Sequence, residues 1–149
     1  PPALQPKIWV IGDGPARKKV RAEAVQTYPN TVFWGAQYGP ELTSFYNAAD
    51  LFVLPGTGGL AIQQAMGHSL PVIVAQGDGT QDDLVRPENG WTVPPGNLKA
   101  LTATLKEALS DLPRLQMMGA ESYRIVREEI NLEEMVSVFV GAFNRLNDL

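Results

Sequence analysis

Short apolar runs alternate with helix-length segments through the first two-thirds of the chain. Because nearly every position in a run is apolar, and not every second position, the runs are typical of strands buried on both faces. Strands that alternate with helices along a chain pair in parallel. The sequence therefore predicts an α/β fold with a parallel sheet covered by helices. The predicted strands are residues 7–11, 31–35, 51–54, 71–75 and 91–93.

Helical spacing predicts three terminal helices, over about residues 98–148, which pack around the sheet. Asn97 is placed to cap the first of them. Asn131 with Glu134 forms a capping-box-like start for the last. Earlier helices are predicted at 16–28, 41–48 and 60–67, and one helical turn within 76–83. The large apolar side chains expected in the core are Trp9, Trp34, Met117, Met118, Phe139 and Phe143.

Length and composition restrict the class of protein. The 149 residues fit one domain, 1–149, and the proline-rich start indicates a fragment of a longer protein. The chain has no cysteine and one histidine, which excludes disulfides, thiolate metal sites and multi-histidine metal sites.

Charge and hydropathy restrict the partners. The net charge is −4 with scattered Lys and Arg, so nucleic acid is not an expected partner. No segment approaches the roughly 18 apolar residues of a transmembrane helix. We expect a cytoplasmic location. The alternative is that the full-length protein associates peripherally with a membrane.

The strongest chemical signal is the strand 51–54 followed by Pro55, a loop of small residues from Gly56 to Gly59, and a helix from Leu60. Glycines allow a ligand to approach the backbone closely, and a helix N-terminus offers unpaired N–H groups to an anion. A tight connection without any ligand is an equally good interpretation of the spacing alone.

Other polar motifs are weaker. The turn at residues 12–15 lacks the third glycine of a dinucleotide fingerprint, since Arg17 stands there, and a plain turn is favoured. His68 is expected at a helix end facing solvent, and the Asp82–Asp83 pair at a helix start. For each of these a structural role is favoured over catalysis.

Several motifs in order resemble the family 4 glycosyltransferases, enzymes of the two-domain GT-B type. Each motif alone is weak, but the ordered set covers most of residues 7–112. The matching segments are 11–15 (IGDGP), 32–35 (VFWG), 45–55 (FYNAADLFVLP), 59–60 (GL), 64–66 (QAM), 70–73 (LPVI), 89–90 (NG) and 93–97 (VPPGN).

The resemblance implies a Rossmann-like three-layer sandwich, the C-terminal half of a GT-B fold, which binds the nucleoside diphosphate sugar. Backbone N–H groups of Gly58, Gly59 and Leu60 would hold the sugar and diphosphate. Gln64 would hold the ribose, and the loop after Gly35 would line the base. No catalytic side chain is identified. The donor-binding residues implied by the resemblance are Gly12, Gly14, Gly35, Ala36, Gln37, Gly56, Thr57, Gly58, Gly59, Leu60 and Gln64.

The chain also departs from the family pattern. The two glutamates that the family places eight residues apart fall on Gly56 and Gln64. Ser69 replaces the usual glycine before the LPVI strand. The family's first strand and helix, which carry an Arg and a Lys that bind phosphates, are not in the sequence. Neither is the N-terminal acceptor-binding domain, which is the expected partner.

The leading hypothesis is that the parent protein transfers a sugar from a nucleoside diphosphate sugar to a glycan or lipid-linked acceptor. By resemblance the reaction is retaining and needs neither a metal nor another cofactor, and the isolated chain is expected to be inactive. The alternative is a degenerate, non-catalytic nucleotide-sugar-binding or interaction module, because both glutamates are replaced. A nucleotide-sugar epimerase ranks low.

Overall fold

A computed structural model describes residues 5–56, 58–77 and 79–147 of the protein. By their internal contacts the residues form two compact units, with the boundary between Ala48 and Ala49. All strand pairings among the described residues are parallel, which confirms the predicted kind of sheet. The hydrogen bonds group the strands into a two-stranded sheet and a three-stranded sheet.

The first unit is a β-α-β-α segment. Its elements are β1 (Ile8–Ile11), α1 (Arg17–Thr27), β2 (Thr31–Gly35) and α2 (Gly39–Asn47). The packing of this unit is aromatic: the ring of Phe45 on α2 lies 5.6 Å from the Trp9 ring and 5.1 Å from the Trp34 ring, centroid to centroid. Such tilted and edge-on contacts suit the ring quadrupoles and stabilise α2 against the strands.

The second unit is built around a buried central strand. Its elements are β3 (Phe52–Leu54), α3 (Leu60–Gly67), β4 (Val72–Ala75), α4 (Thr80–Leu84), β5 (Gly90–Val93), α5 (Leu98–Ala108), α6 (Leu112–Glu128) and α7 (Leu132–Asn147). The strand β4 pairs with β3 on one side and β5 on the other. All four residues of β4 are buried, as its uninterrupted apolar run predicts.

The helices α3 and α6 pack closely against each other. Glycine is required at Gly119 on α6, because a Cβ there would collide with the carbonyl oxygen of Ser69. Ser69 lies in the left-handed region with φ 59°, at the position where the resemblance implies a glycine. Buried Met66 on α3 and buried Met118 and Ile125 on α6 belong to the core of this unit.

The predicted helix caps at Asn97 and Asn131 are confirmed. The Asn97 side chain accepts a hydrogen bond from the Ala100 amide at 3.0 Å, and the Asn131 side chain accepts one from the Glu134 amide at 2.8 Å. Each bond satisfies one of the amides that have no partner within the helix.

Several core predictions are wrong. Phe139 and Phe143 on α7 are 70% and 65% exposed, Met117 is 68% exposed and Trp34 is 45% exposed. Met118 is buried as predicted, but Met117 lies about 100° away around the same helix. On α7 the apolar stripe follows helical spacing, yet no described element covers it, because periodicity defines a face without defining what packs on that face.

Candidate functional site

The N-terminus of α3 lies at the carboxyl end of β3 and is open. The first bond of the helix runs from the Gln63 amide to the Gly59 carbonyl at 3.0 Å, so the amides of Leu60, Ala61 and Ile62 precede it and have no partner within the helix. In the described part of the chain no side chain caps this end, since the N-cap residue is Gly59. Leu60 is 83% exposed, whereas Ile62 is fully buried.

The loop before α3 approaches the last residue of β3 at Gly58. A Cβ on Gly58 would lie 3.0 Å from Cδ2 of Leu54, tighter than an ordinary carbon contact, so a larger residue there would need the Leu54 side chain to shift. A Cβ on Gly56 would meet open space. Thr57 was also predicted for this site and lies outside the described residues.

The neighbouring glutamines of α3 have different environments. The Gln63 side chain donates a 2.9 Å hydrogen bond to the carbonyl of Ile130, just after α6. The Gln64 side chain is exposed on the surface of α3. Gln64 is therefore accessible to a ligand hydroxyl, but as a neutral amide it forms weaker hydrogen bonds than a carboxylate.

An open depression of about 540 Å³ lies beside the start of α3. On its rim Nη2 of Arg86 forms a 2.7 Å ion pair with Oε2 of Glu129. The hydrogen bond from Arg86, followed by the bond from Arg124, lowers the pKa of the Glu129 carboxyl below its usual value. The lining residues are Gly59, Leu60, Gln63, Asp83, Leu84, Arg86, Glu129 and Ile130.

Sequence reasoning did not identify Arg86 and Glu129. They lie 43 positions apart and belong to no motif. Arg86 follows α4 and Glu129 follows α6, so only tertiary packing brings them to the same rim, and no local signal was available.

In the first unit, Gly12 and Gly35 meet at the carboxyl ends of β1 and β2. The Gly12 amide donates a 2.8 Å hydrogen bond to the Gly35 carbonyl. Gly12 has φ 133° and Gly35 has φ 74°, conformations that favour glycine. The structure therefore brings together these two residues of the predicted set.

The Arg17 guanidinium lies close to Gly35, at the carboxyl end of β2. The guanidinium forms a 2.9 Å ion pair with Asp13, and a Cβ on Gly35 would lie 3.5 Å from its Nη1 atom. Asp13 also accepts a 2.8 Å hydrogen bond from the Gly14 amide, which orders the turn. The sequence interpretation treated Arg17 only as a missing glycine.

The remaining residues predicted for the base are Ala36 and Gln37. Ala36 is exposed, and the Gln37 side chain donates a 3.0 Å hydrogen bond to the carbonyl of Trp34. That bond is local, so the Gln37 amide would have to exchange it to contact a ligand. The role of both residues stays a prediction.

The weaker candidates occupy the expected positions. His68 is the C-cap residue of α3, and Asp82 and Asp83 lie exposed in the first turn of α4. Within the described residues no three His, Asp or Glu side chains are grouped as metal ligands. Independence from metal stays a prediction. Among the described helices none is long and apolar enough to cross a membrane.

Similar known proteins test the resemblance to the glycosyltransferases. The family model "Glycosyl transferases group 1" matches residues 2–111. The sulfoquinovosyl transferase SQD2 of Arabidopsis thaliana is 32% identical over 129 residues, which cover 83% of this chain and 24% of that protein. The chain thus spans about a quarter of the length of this relative.

Solved structures support the fold. Sucrose-phosphate synthase from Thermosynechococcus elongatus superposes with a TM-score of 0.79 at 22% identity, over 95% of this chain and 39% of that one. The C-terminal domain of a group 1 glycosyl transferase from Francisella tularensis gives a TM-score of 0.69 at 22% identity, over 78% of this chain and 63% of that one. The Rossmann-like α/β fold predicted from the resemblance is confirmed. The family match extends over most of the chain, and the protein therefore belongs to the group 1 glycosyl transferases.

Proposed function

We propose that this chain binds the nucleoside diphosphate sugar of a glycosyltransferase whose full-length form transfers the sugar to a glycan or lipid-linked acceptor. The observation that carries the proposal is the uncapped start of α3 at the carboxyl end of β3. In open parallel sheets, ligands bind outside the carboxyl ends of the strands.

The chemistry of that helix end suits a diphosphate. The amides of Leu60 and Ala61 are available donors, whereas Ile62 is fully buried, and the helix dipole adds positive potential. When the bond between sugar and phosphate breaks, negative charge develops on the departing phosphate. Donors that are already oriented stabilise this charge without reorganisation. The proposed reaction is retaining, uses no metal or other cofactor, and takes place in the cytoplasm.

A matched pair of variants at Leu60 tests the role of the backbone. Leu60→Pro removes one amide hydrogen at the first helical position. Because Gly59 before it has helical backbone angles, which a following proline disfavours, circular dichroism must show that the helix is retained. Leu60→Ala keeps the amide and removes only an exposed side chain. Calorimetric titration of the 149-residue chain with UDP, GDP and ADP should show binding of at least one. Leu60→Pro should weaken it about tenfold, and Leu60→Ala should leave it unchanged.

Equal affinities for the two variants, with the helix intact by circular dichroism, would rule out the amide contact. Transfer is tested separately, with the full-length protein and a panel of UDP- and GDP-sugars. If no donor is transferred or hydrolysed, the enzyme proposal fails.

The replacement of both family glutamates favours a second candidate, a non-catalytic nucleotide-sugar-binding module. Gly56 offers no side chain, and Gln64 offers no charge. Gln64→Glu discriminates the two. In a catalytic protein it should tighten donor binding or raise turnover, because a charge-assisted bond to a hydroxyl replaces a neutral one. Tight binding without turnover in both forms supports the module.

A further inference from the structure

Gln81, in the first turn of α4, has a buried side chain with no hydrogen-bond partner among the residues that the structure describes. It is 1% exposed, and among the described residues neither its Nε2 nor its Oε1 atom has a partner. Buried polar groups are almost always paired, because an unpaired one loses its bonds to water without replacement. The fold therefore keeps this amide at an energetic cost.

The Gln81 amide lies at the edge of the sheet where ligands bind. The strand β4 ends at Ala75, and the chain then passes through Gly77 into α4. A Cβ on Gly77 would lie 2.8 Å from Nε2 and 2.9 Å from Oε1 of Gln81, so the amide is packed directly against this glycine. Since β3 and β4 are parallel neighbours, the loop with Gly77 and the loop before α3 leave the sheet at the same edge.

We propose that the Gln81 carboxamide binds hydroxyl groups of the sugar carried by the nucleotide. This inference rests on the proposed function and assigns a further residue to donor recognition. The two unpaired atoms are one donor and one acceptor. A hydroxyl both accepts and donates, so neighbouring hydroxyls satisfy both atoms, whereas a phosphate accepts only and leaves Oε1 unpaired.

Release of the Gln81 side chain toward the ligand breaks no hydrogen bond to the described residues, because none holds it. A glutamine has three rotatable side-chain bonds, which allow the amide to turn away from Gly77. Partners gained from the sugar would then offset the cost that burial imposes on the free protein. A site with polar groups discriminates strongly between ligands, because a ligand that leaves those groups unpaired binds less well.

The test is Gln81→Met, which replaces the amide with an apolar side chain of similar length. Stability and binding should respond differently. The urea midpoint should be no lower than that of the wild type, because no hydrogen bond is lost. Affinity for the UDP- or GDP-sugar that the chain binds should fall about tenfold, while affinity for the corresponding nucleoside diphosphate should not change. Gln116→Met, at an exposed glutamine of α6, is the matched control and should change neither quantity.

The outcomes separate this inference from the proposed function. If the wild type binds no nucleotide or nucleotide sugar, the proposed function itself fails. If it binds and Gln81→Met retains full affinity for the sugar nucleotide, only the role of Gln81 is refuted. An equal loss for the nucleoside diphosphate would assign the amide to the nucleotide and overturn the sugar contact. A clearly lower urea midpoint would make Gln81 structural, and an equal effect of Gln116→Met would make the change nonspecific.

Discussion

Gly35 shows how a single residue sets the geometry at the end of β2. Its φ of 74° is unfavourable for any residue with a Cβ, and the Arg17 guanidinium packs against it. We expect Gly35→Ala to lower the free energy of unfolding by about 1–2 kcal/mol, the cost of a left-handed conformation in a residue with a side chain. Urea denaturation measures the change.

Gly14→Ala is the control for this prediction. Gly14 lies in the neighbouring turn, has no positive φ and has open space around it. Its substitution should change the free energy of unfolding by less than about 0.5 kcal/mol. Similar effects at both positions would show that the left-handed conformation is not the cause.

Ser69 has a backbone conformation that favours glycine. Its φ is 59° just before β4. Ser69→Gly should raise the free energy of unfolding by about 0.5 kcal/mol, because relief of the left-handed conformation exceeds the entropy cost of a glycine. Ser137→Gly, on the exposed surface of α7, should instead lower it, because glycine disfavours helix. A loss of stability in Ser69→Gly would contradict the assignment of strain.

At the level of elements, the packing of α6 against the turn after α3 depends on Gly119. A methyl group there meets the backbone carbonyl of Ser69, which cannot rotate away as a side chain could. Gly119→Ala should therefore lower the free energy of unfolding by about 1–3 kcal/mol through overpacking. The midpoint in urea reports the loss.

Gly141→Ala provides the matched helix control. Gly141 lies on α7, and a Cβ there would meet nothing within 4 Å. Alanine should raise the stability of that helix by up to about 1 kcal/mol. If Gly119→Ala behaves like Gly141→Ala, α6 does not pack against the turn after α3 as closely as the structure shows.

At the scale of the whole molecule, ion pairs near the end of α6 make stability depend on pH. Hydrogen bonds from Arg124 lower the pKa of Glu121, and bonds from Arg86 and then Arg124 lower the pKa of Glu129. A carboxyl whose pKa is lower in the folded state stabilises the fold above its unfolded pKa, and this contribution is lost as the pH falls through the folded pKa.

Arg124→Met should therefore lower the urea midpoint at pH 7, and the difference from the wild type should shrink as the pH falls below the usual glutamate value of 4.5. Arg127→Met, on the same helix, is the control and should have little effect at either pH. A difference that persists after the carboxyls are protonated would attribute the effect to packing of the Arg124 side chain.

The sequence predicts that residues 1–149 form a single domain. Trp9 and Trp34 report on the first unit and Trp91 on the second. In Trp91→Phe and in the double variant Trp9→Phe with Trp34→Phe, fluorescence should show coincident urea transitions if the chain unfolds as one cooperative domain. Separate midpoints would show that the two units unfold independently.

Local conformation and family membership could be predicted from the sequence. Uninterrupted apolar runs predicted β1 to β5 and their parallel pairing, Asn97 and Asn131 marked helix starts, and ordered motifs indicated the glycosyltransferase family. Strands and helix caps depend on residues that are close together in the chain, so the pattern of residues is enough to predict them.

Which faces are covered and which distant residues meet could be seen only in the folded chain. The tertiary structure left Phe139 and Phe143 of α7 exposed, paired Arg86 with Glu129 and buried the amide of Gln81. Each outcome depends on contacts between elements that are far apart in sequence. Helical spacing specifies only the face on which a residue lies, and the packing of other elements decides whether that face is buried.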